Sequence, residues 1–122
     1  MEIPKTILLV EDAEPLNHAI IFKVKQYGCN IISTANAEEA LKVLETDNTI
    51  DIVWLDIFLP KMNGIEFLKE IRRRGIDKKV VICVMSDNEE FKDAAKELGV
   101  VDYLIKSSYE LDDLVNKVIA YA

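Results

Sequence analysis

Short apolar runs alternate along this chain with longer segments that repeat apolar residues at helical spacing. A continuous apolar run indicates a strand covered on both faces, whereas apolar residues three or four positions apart indicate an amphipathic helix. Five strands are predicted, at residues 6–10, 30–34, 49–56, 79–85 and 101–105. Five helices are predicted after them, from Pro15 to Tyr27, from Asn36 or Ala37 through Leu44, from just after Gly64 to Gly75, and over 88–98 and 109–121.

This alternation predicts an α/β fold. Strands without internal polar alternation are typical of a parallel sheet with helices on both faces. Short connections and right-handed crossovers then give a doubly wound sandwich. The 122 residues suit one domain, and half of them are hydrophobic, which is enough for a proper core.

Composition excludes several classes of function. The formal net charge of −7 argues against a general binder of nucleic acid or anionic membranes. No apolar run approaches the roughly 18 residues of a membrane span, and the first ten residues do not resemble a signal peptide, so we expect a cytoplasmic protein. His18 is the single histidine, and Cys29 and Cys83 have no zinc-site spacing.

Four of the five predicted strands are followed by residues that suit phosphate or metal chemistry. Glu11 and Asp12 follow the first strand, Asp56 ends the third, Ser86 follows the fourth and Lys106 the fifth. In a doubly wound sheet, ligands bind at the carboxyl ends of the strands. Any one of these residues has an ordinary explanation as a helix cap or a solvated side chain. Their joint placement on one edge predicts a functional site.

The acids in this group predict a divalent cation. Like charges about 4 Å apart repel by roughly 4 kcal/mol per pair at surface-like screening, so such a cluster favours a cation in its midst. Oxygen ligands without histidine or cysteine suit Mg²⁺ or Mn²⁺ better than zinc. Asp56 beside the ion is then a plausible nucleophile toward phosphorus, with Lys106 as a second positive charge and Ser86 as a hydrogen-bond partner of a phosphoryl oxygen.

Four segments carry a resemblance to a known family: ILLVEDAEP, VWLDIFLPKMNG, VICVMSDN and DYLIKS. In this order and spacing the chain resembles the receiver domains of two-component response regulators, in particular the chemotaxis-regulator type, over essentially its full length. The resemblance implies a (βα)5 flavodoxin-like three-layer sandwich with a parallel five-stranded sheet in the order 2-1-3-4-5. It also implies a single receiver domain over residues 1–122.

The resemblance further implies a function. A sensor histidine kinase or a phosphotransfer protein would donate a phosphoryl group from phosphohistidine to Asp56 in a Mg²⁺-dependent reaction. The domain would be a switch that assists its own phosphorylation and dephosphorylation rather than a turnover enzyme, and its 88–120 surface would contact an effector. The implied residues are the phospho-acceptor Asp56, the metal ligands Glu11, Asp12, Asp56 and the Phe58 backbone carbonyl, the phosphate-contacting Lys106, the switch hydroxyl of Ser86 and the aromatic switch residue Tyr103.

Three positions depart from the family pattern. Asp87 stands where a small residue usually follows the switch hydroxyl, and Phe58 stands where a polar residue or methionine is common. Ser107 replaces the proline that usually follows the lysine in the family, where the peptide bond is often cis. The sequence alone therefore does not decide whether the Lys106–Ser107 peptide bond is cis or trans. None of these departures removes a group that phosphorylation needs.

Three other functions compete with the switch. An aspartate-nucleophile phosphatase or phosphotransferase usually has D-x-D, with the second acid as general acid, and Phe58 occupies that second position. A flavin-binding module would need a phosphate-cradling loop after the first strand, and the acidic EDAEP segment repels phosphate. A degenerate receiver that binds partners without phosphorylation would be expected to lack some of the site residues.

Overall fold

The computed structural model describes residues 4–84 and 90–122. Its five strands are β1 (Thr6–Val10), β2 (Asn30–Thr34), β3 (Ile52–Leu55), β4 (Lys79–Val84) and β5 (Asp102–Ile105). Its five α-helices are α1 (Glu14–Gln26), α2 (Ala37–Thr46), α3 (Gly64–Arg73), α4 (Lys92–Glu97) and α5 (Leu111–Tyr121). A short 3-10 helix, Lys106–Ser108, connects β5 to α5.

The five strands form one parallel sheet in the order β2-β1-β3-β4-β5. This confirms the predicted doubly wound α/β class and the 2-1-3-4-5 order. The direction of winding reverses at β1 and β3, which are hydrogen-bonded neighbours. Loops that follow these two strands therefore meet at the topological switch point, where this fold class binds ligands.

Alternate residues of each strand supply two separate cores, one on each face of the sheet. Ile7, Leu9 and Trp54 pack with the buried sides of α1 and α5. Val53 and Leu55 belong to the other core, which includes the buried sides of α2 and α3 and Ala95 of α4. Because both faces of the sheet are covered, neither face needs polar residues. This is the physical reason for the continuous apolar runs in the sequence.

Several predicted boundaries were wrong by a few residues. The third strand, predicted over 49–56, spans only Ile52–Leu55, because the Asp51 side chain turns to accept a hydrogen bond from the Thr6 N–H at 2.8 Å. The fifth strand begins at Asp102 rather than 101. The last helix begins at Leu111 rather than 109, since the preceding 3-10 turn ends with the Tyr109 N–H donating to the Lys106 carbonyl.

The predicted helix over 88–98 is also shorter than expected. Residues 88 and 89 lie outside the described residues. Within the described part, 90 and 91 form a turn, and α4 occupies only Lys92–Glu97. A short helix of this kind depends on tertiary contacts, because six residues are too few to stabilise an isolated helix.

Gly64 fixes the loop that follows Asp56. Its N–H donates to the Ile57 carbonyl at 2.8 Å, and a Cβ atom at this position would lie 2.7 Å from both the Asp56 carbonyl oxygen and the Ile57 Cα. Asn63 and Glu66 cap the helix that starts here by reciprocal hydrogen bonds. The first turn of α3 is therefore packed directly on the backbone that follows β3.

We expect Gly64→Ala to lower the free energy of unfolding by about 1–3 kcal/mol, because the added methyl group overlaps backbone atoms rather than a flexible side chain. Chemical denaturation measures this, and amide NMR should show displaced signals at residues 55–58. Gly28→Ala is the comparison variant: the Cβ position at Gly28 has open space, but its φ of +78 makes alanine strained, so this variant also loses stability and yet leaves the signals of residues 55–58 unchanged. A Gly64→Ala variant as stable as wild type would contradict the close packing.

Candidate metal and phosphoryl-acceptor site

Three acids from two neighbouring strands meet at the carboxyl edge of the sheet. Glu11 and Asp12 directly follow β1, and Asp56 directly follows β3. One carboxylate oxygen from each lies within 4.8 Å of the other two. Glu11 and Asp56 are only 2% and 5% exposed, whereas Asp12 is exposed to solvent. The cluster thus has a buried floor of two carboxylates and an open side at Asp12.

Lys106 supplies a positive charge inside this cluster. Its Nζ lies 2.7 Å from Glu11 Oε2 and 3.5 Å from Asp56 Oδ2, and the residue is 8% exposed. The sequence had predicted Lys106 at this edge as a phosphate contact. In the structure its ammonium group contacts the acids themselves. The cluster holds three carboxylates and Lys106 contributes one positive charge, so a net negative charge remains that suits a further cation.

Backbone hydrogen bonds hold the two buried acids in place. The Phe58 N–H donates to Asp56 Oδ1 at 3.1 Å, and the Asp56 N–H donates to the Val10 carbonyl at 3.1 Å. The Glu11 N–H donates to the Thr34 carbonyl, and the Ala13 N–H donates to Glu11 Oε1. Each acid is therefore positioned from both its main chain and its side chain.

Asn17 also belongs to the site, although it was not among the predicted site residues. It is buried on α1, its Nδ2 donates to the Glu11 carbonyl at 2.9 Å, and its Oδ1 accepts a hydrogen bond from Ser33 Oγ at 2.8 Å. A signal was available in the sequence, because Asn17 occupies a position three residues before Ile20 and seven before Val24, on the apolar stripe of the helix. A polar residue on that stripe needs a partner.

The pKa of Asp56 is raised to about 6, mainly by burial and in addition by the neighbouring carboxylate of Glu11. The Lys106 ammonium and the Phe58 N–H act in the opposite direction, because each stabilises the ionised form. Burial is the largest of these effects. The Asp56 carboxylate is therefore poorly solvated, a condition that favours a cation beside it.

The other predicted site residues lie at different depths. The Phe58 ring is 48% exposed and packs edge to face against Phe91, with ring centroids 5.9 Å apart and an interplanar angle of 75°. Tyr103 is only 7% exposed and belongs to the core under α2 and α3. Ser86 and Asp87 lie outside the described residues. The Lys106–Ser107 peptide is trans, since no cis bond occurs between described residues.

An acidic recess opens beside the cluster. It has a volume of about 230 Å³ and lies between the start of α1 and the β2–α2 connection. Its lining residues are Glu11, Asp12, Glu14, Asn17, His18, Ser33, Ala35 and Glu39. The recess gives small solutes access to Asp12 and Glu11 from solvent.

Within the described residues, no helix is long and apolar enough to cross a membrane.

Two curated relatives show the family at the level of sequence. The alkaline phosphatase synthesis transcriptional regulatory protein PhoP of Bacillus subtilis is 34% identical over 102 residues, which cover 84% of this chain and 42% of that protein. The transcriptional regulatory protein CiaR of Streptococcus pneumoniae is 33% identical over 114 residues, covering 93% of this chain and 50% of that protein. The chain thus spans half or less of the length of these relatives.

Solved structures agree with the sequence relatives. The receiver domain of the Francisella response regulator 1452 superposes with a TM-score of 0.85 at 27% identity, covering 96% of this chain and 95% of that one. A DNA-binding response regulator of the LuxR family from Staphylococcus aureus superposes with a TM-score of 0.82 at 31% identity. The superposition covers 94% of this chain and 98% of that one. A family profile described as "Response regulator receiver domain" matches residues 7–119. The chain belongs to the family of response regulator receiver domains of two-component systems.

Proposed function

We propose that Asp56 is the phospho-acceptor of this receiver domain and that its donor is a phosphohistidine of a sensor histidine kinase or a phosphotransfer protein. The observation that carries this proposal is the buried Asp56 carboxylate at the end of β3, within reach of two further acids and Lys106. An Asp56 oxygen attacks phosphorus, a P–O bond forms, and the P–N bond to the donor imidazole breaks. The imidazole nitrogen keeps that electron pair.

The donor set of the site fits Mg²⁺, with Mn²⁺ as an alternative. Glu11, Asp12 and Asp56 offer carboxylate oxygens, and we assign the Phe58 backbone carbonyl as a further ligand. When bound, the cation neutralises charge on the phosphoryl oxygens. The chain's own groups perform the remaining tasks. The Phe58 N–H orients the Asp56 carboxylate, and Lys106 provides a positive charge that can turn from the acids toward the incoming group.

The domain acts as a signalling switch that assists its own phosphorylation and dephosphorylation. A turnover phosphatase of the aspartate-nucleophile class would need a general acid two residues after Asp56, and that position is Phe58. The phosphoryl group adds roughly 1.5 to 2 negative charges at the end of β3. Ser86 and Lys106 are the residues that we assign to respond to it.

The switched surface comprises residues 88–120, which we propose as the face for a downstream effector. Tyr103 lies under this surface on β5, and its ring is buried in the structure. This inward position is one of the two positions that we propose for the ring, and phosphorylation would favour it when Ser86 moves toward the phosphoryl group. Residues 88 and 89 of this face lie outside the described part of the chain.

The partners and the location follow from the same proposal. Several relatives are transcriptional regulators, and this chain covers only part of their length. The expectation of no direct nucleic-acid binding is therefore kept for residues 1–122 alone, where acidic residues exceed basic ones by 22 to 15. A single receiver domain over these residues, without membrane binding and located in the cytoplasm, is also proposed.

We expect Mg²⁺ to bind the wild-type protein and Asp12→Ala to weaken binding roughly tenfold or more, since loss of even an outer-shell partner of a metal ion can cost that much. Isothermal titration calorimetry measures the affinity. Glu14→Gln is the control, because Glu14 lines the same recess without belonging to the three-acid cluster. Equal affinity in wild type and Asp12→Ala, or equal losses in both variants, would remove Asp12 as a ligand.

Acetyl phosphate with Mg²⁺ should add one phosphate to the wild-type protein and none to Asp56→Asn, because the amide cannot act as the nucleophile. Intact-mass spectrometry detects the adduct. Asp51→Asn is the control, as Asp51 lies at the opposite end of β3 and should leave phosphorylation intact. A phosphate that persists in Asp56→Asn would move the acceptor elsewhere.

Asp56→Asn should stabilise the protein by about 1–3 kcal/mol at pH 7 in the presence of a chelator, because it removes a poorly solvated carboxylate. The pKa of Asp56 is raised from 3.8 to about 6, so the folded state binds the proton more tightly than the unfolded chain. The stabilising contribution of the protonated Asp56 carboxyl group to the free energy of unfolding is therefore fully present below pH 3.8. It falls as the pH rises toward 6.

Urea denaturation at several pH values tests this dependence. The difference in free energy of unfolding between Asp56→Asn and wild type should be smallest near pH 4 and reach its full size above pH 6. Saturating Mg²⁺ should reduce this difference. Asp77→Asn serves as a control, because Asp77 is exposed and precedes β4 at the other edge of the sheet. A less stable Asp56→Asn at pH 7 with chelator would mean that the Lys106 contact outweighs the cost of burial.

A further inference from the structure

Phe58 contacts the acceptor with its main chain and the start of α4 with its side chain. Its N–H donates to Asp56 Oδ1, and its ring packs edge to face on Phe91. Phe91 is the residue immediately before α4, and its carbonyl accepts the hydrogen bond of the Ala95 N–H at 2.9 Å. Three consecutive contacts thus join the Asp56 carboxylate to the first turn of α4.

Both ends of α4 contact neighbouring segments of the domain. At its C-terminal end the Arg72 guanidinium donates to the Leu98 carbonyl at 2.8 Å and to the Gly99 carbonyl at 3.3 Å, and it also reaches the Lys78 carbonyl at 3.2 Å. At the N-terminal end, α4 has no side-chain cap among the described residues. There Phe91 packs on Phe58 and against the core under α2 and α3.

The hydrogen bonds of Arg72 fix the C-terminal end of α4. Several directional hydrogen bonds to one guanidinium resist displacement, because a small shift breaks their geometry. A ring pair can slide or tilt and remain in contact, although its energy depends on the orientation of the two rings. A displacement of Phe91 therefore reaches the first turn of this short helix while Arg72 holds its C-terminal end.

We propose that the Phe58–Phe91 ring pair couples the acceptor loop to α4, so that displacement of Phe58 moves the N-terminal end of the helix about the end anchored by Arg72. This inference rests on the proposed phosphorylation of Asp56 and names a route to the effector face. The route is distinct from the one through Ser86 and Tyr103, since neither of those residues takes part in the ring pair. It depends on the phenylalanine two residues after the acceptor, where a polar residue or methionine is common in the family.

Beryllofluoride with Mg²⁺, a stable mimic of the phosphoryl group, provides the test. Amide NMR spectra are recorded with and without it for wild type, Phe58→Leu, Phe91→Leu and the double variant. Leucine keeps an apolar side chain at each position but removes the ring. Phe22→Leu is the matched control, because Phe22 is 61% exposed on α1, away from α4.

Wild type and Phe22→Leu should show beryllofluoride-induced shifts at residues 11, 12 and 56 and also over Lys92–Glu97. In either single variant the shifts at the acids should persist. Those over α4 should shrink as the switched population falls roughly 2- to 10-fold, the range that one ring pair supports. The α4 shifts of the double variant should be reduced no further than those of the more affected single variant, since both substitutions break the same contact.

Two results would overturn the coupling. Shifts over α4 that keep their wild-type size in both single variants would show that the ring pair transmits nothing. Losses that add up in the double variant would show two independent effects. If Phe91→Leu fails to fold, the half-exposed Phe58 still carries the test through Phe58→Leu. A wild-type protein that shows no shift at Asp56 and takes no phosphate would overturn the proposed function itself, and the coupling with it.

Discussion

The buried contact of Lys106 with Glu11 and Asp56 is the interaction on which the site depends. Three carboxylates at the end of a parallel sheet would repel one another strongly in a poorly solvated setting. The lysine that follows β5 is the positive charge that allows two of them to be buried in the structure. The arrangement requires β1, β3 and β5 to end on the same edge, so the strand order and the electrostatics of the site support each other.

The compensation by Lys106 is incomplete, and that is chemically useful. Its ammonium group lies closer to Glu11 than to Asp56, and burial still raises the pKa of Asp56 to about 6. A carboxylate in this condition gains from a nearby cation, because the positive charge favours its ionised form. Asp12, on the open side of the cluster, is the acid that an incoming ion would meet first.

The loop after Asp56 joins this chemistry to the rest of the domain. Gly64 lets the first turn of α3 lie on the Asp56 and Ile57 backbone, and the capped start of that helix holds the loop from the other side. Between these points Phe58 turns its N–H inward to Asp56 and its ring outward to Phe91. A rigid frame around one exposed aromatic side chain is a suitable arrangement for passing a local change to a neighbouring helix.

The sequence by itself determined the layers, the parallel sheet and the edge at which Glu11, Asp12, Asp56 and Lys106 meet. Continuous apolar strands require cover on both faces, and in a parallel sheet the residues after each strand share an edge. Tertiary structure alone decided which charges pair, since sequence spacing cannot tell whether Lys106 faces solvent, a phosphate or Glu11. It also decided the boundaries at Asp51 and Leu111 and the pairing of Phe58 with Phe91. Those features arise from hydrogen bonds and ring contacts between segments distant in sequence, and local patterns carry no information about such contacts.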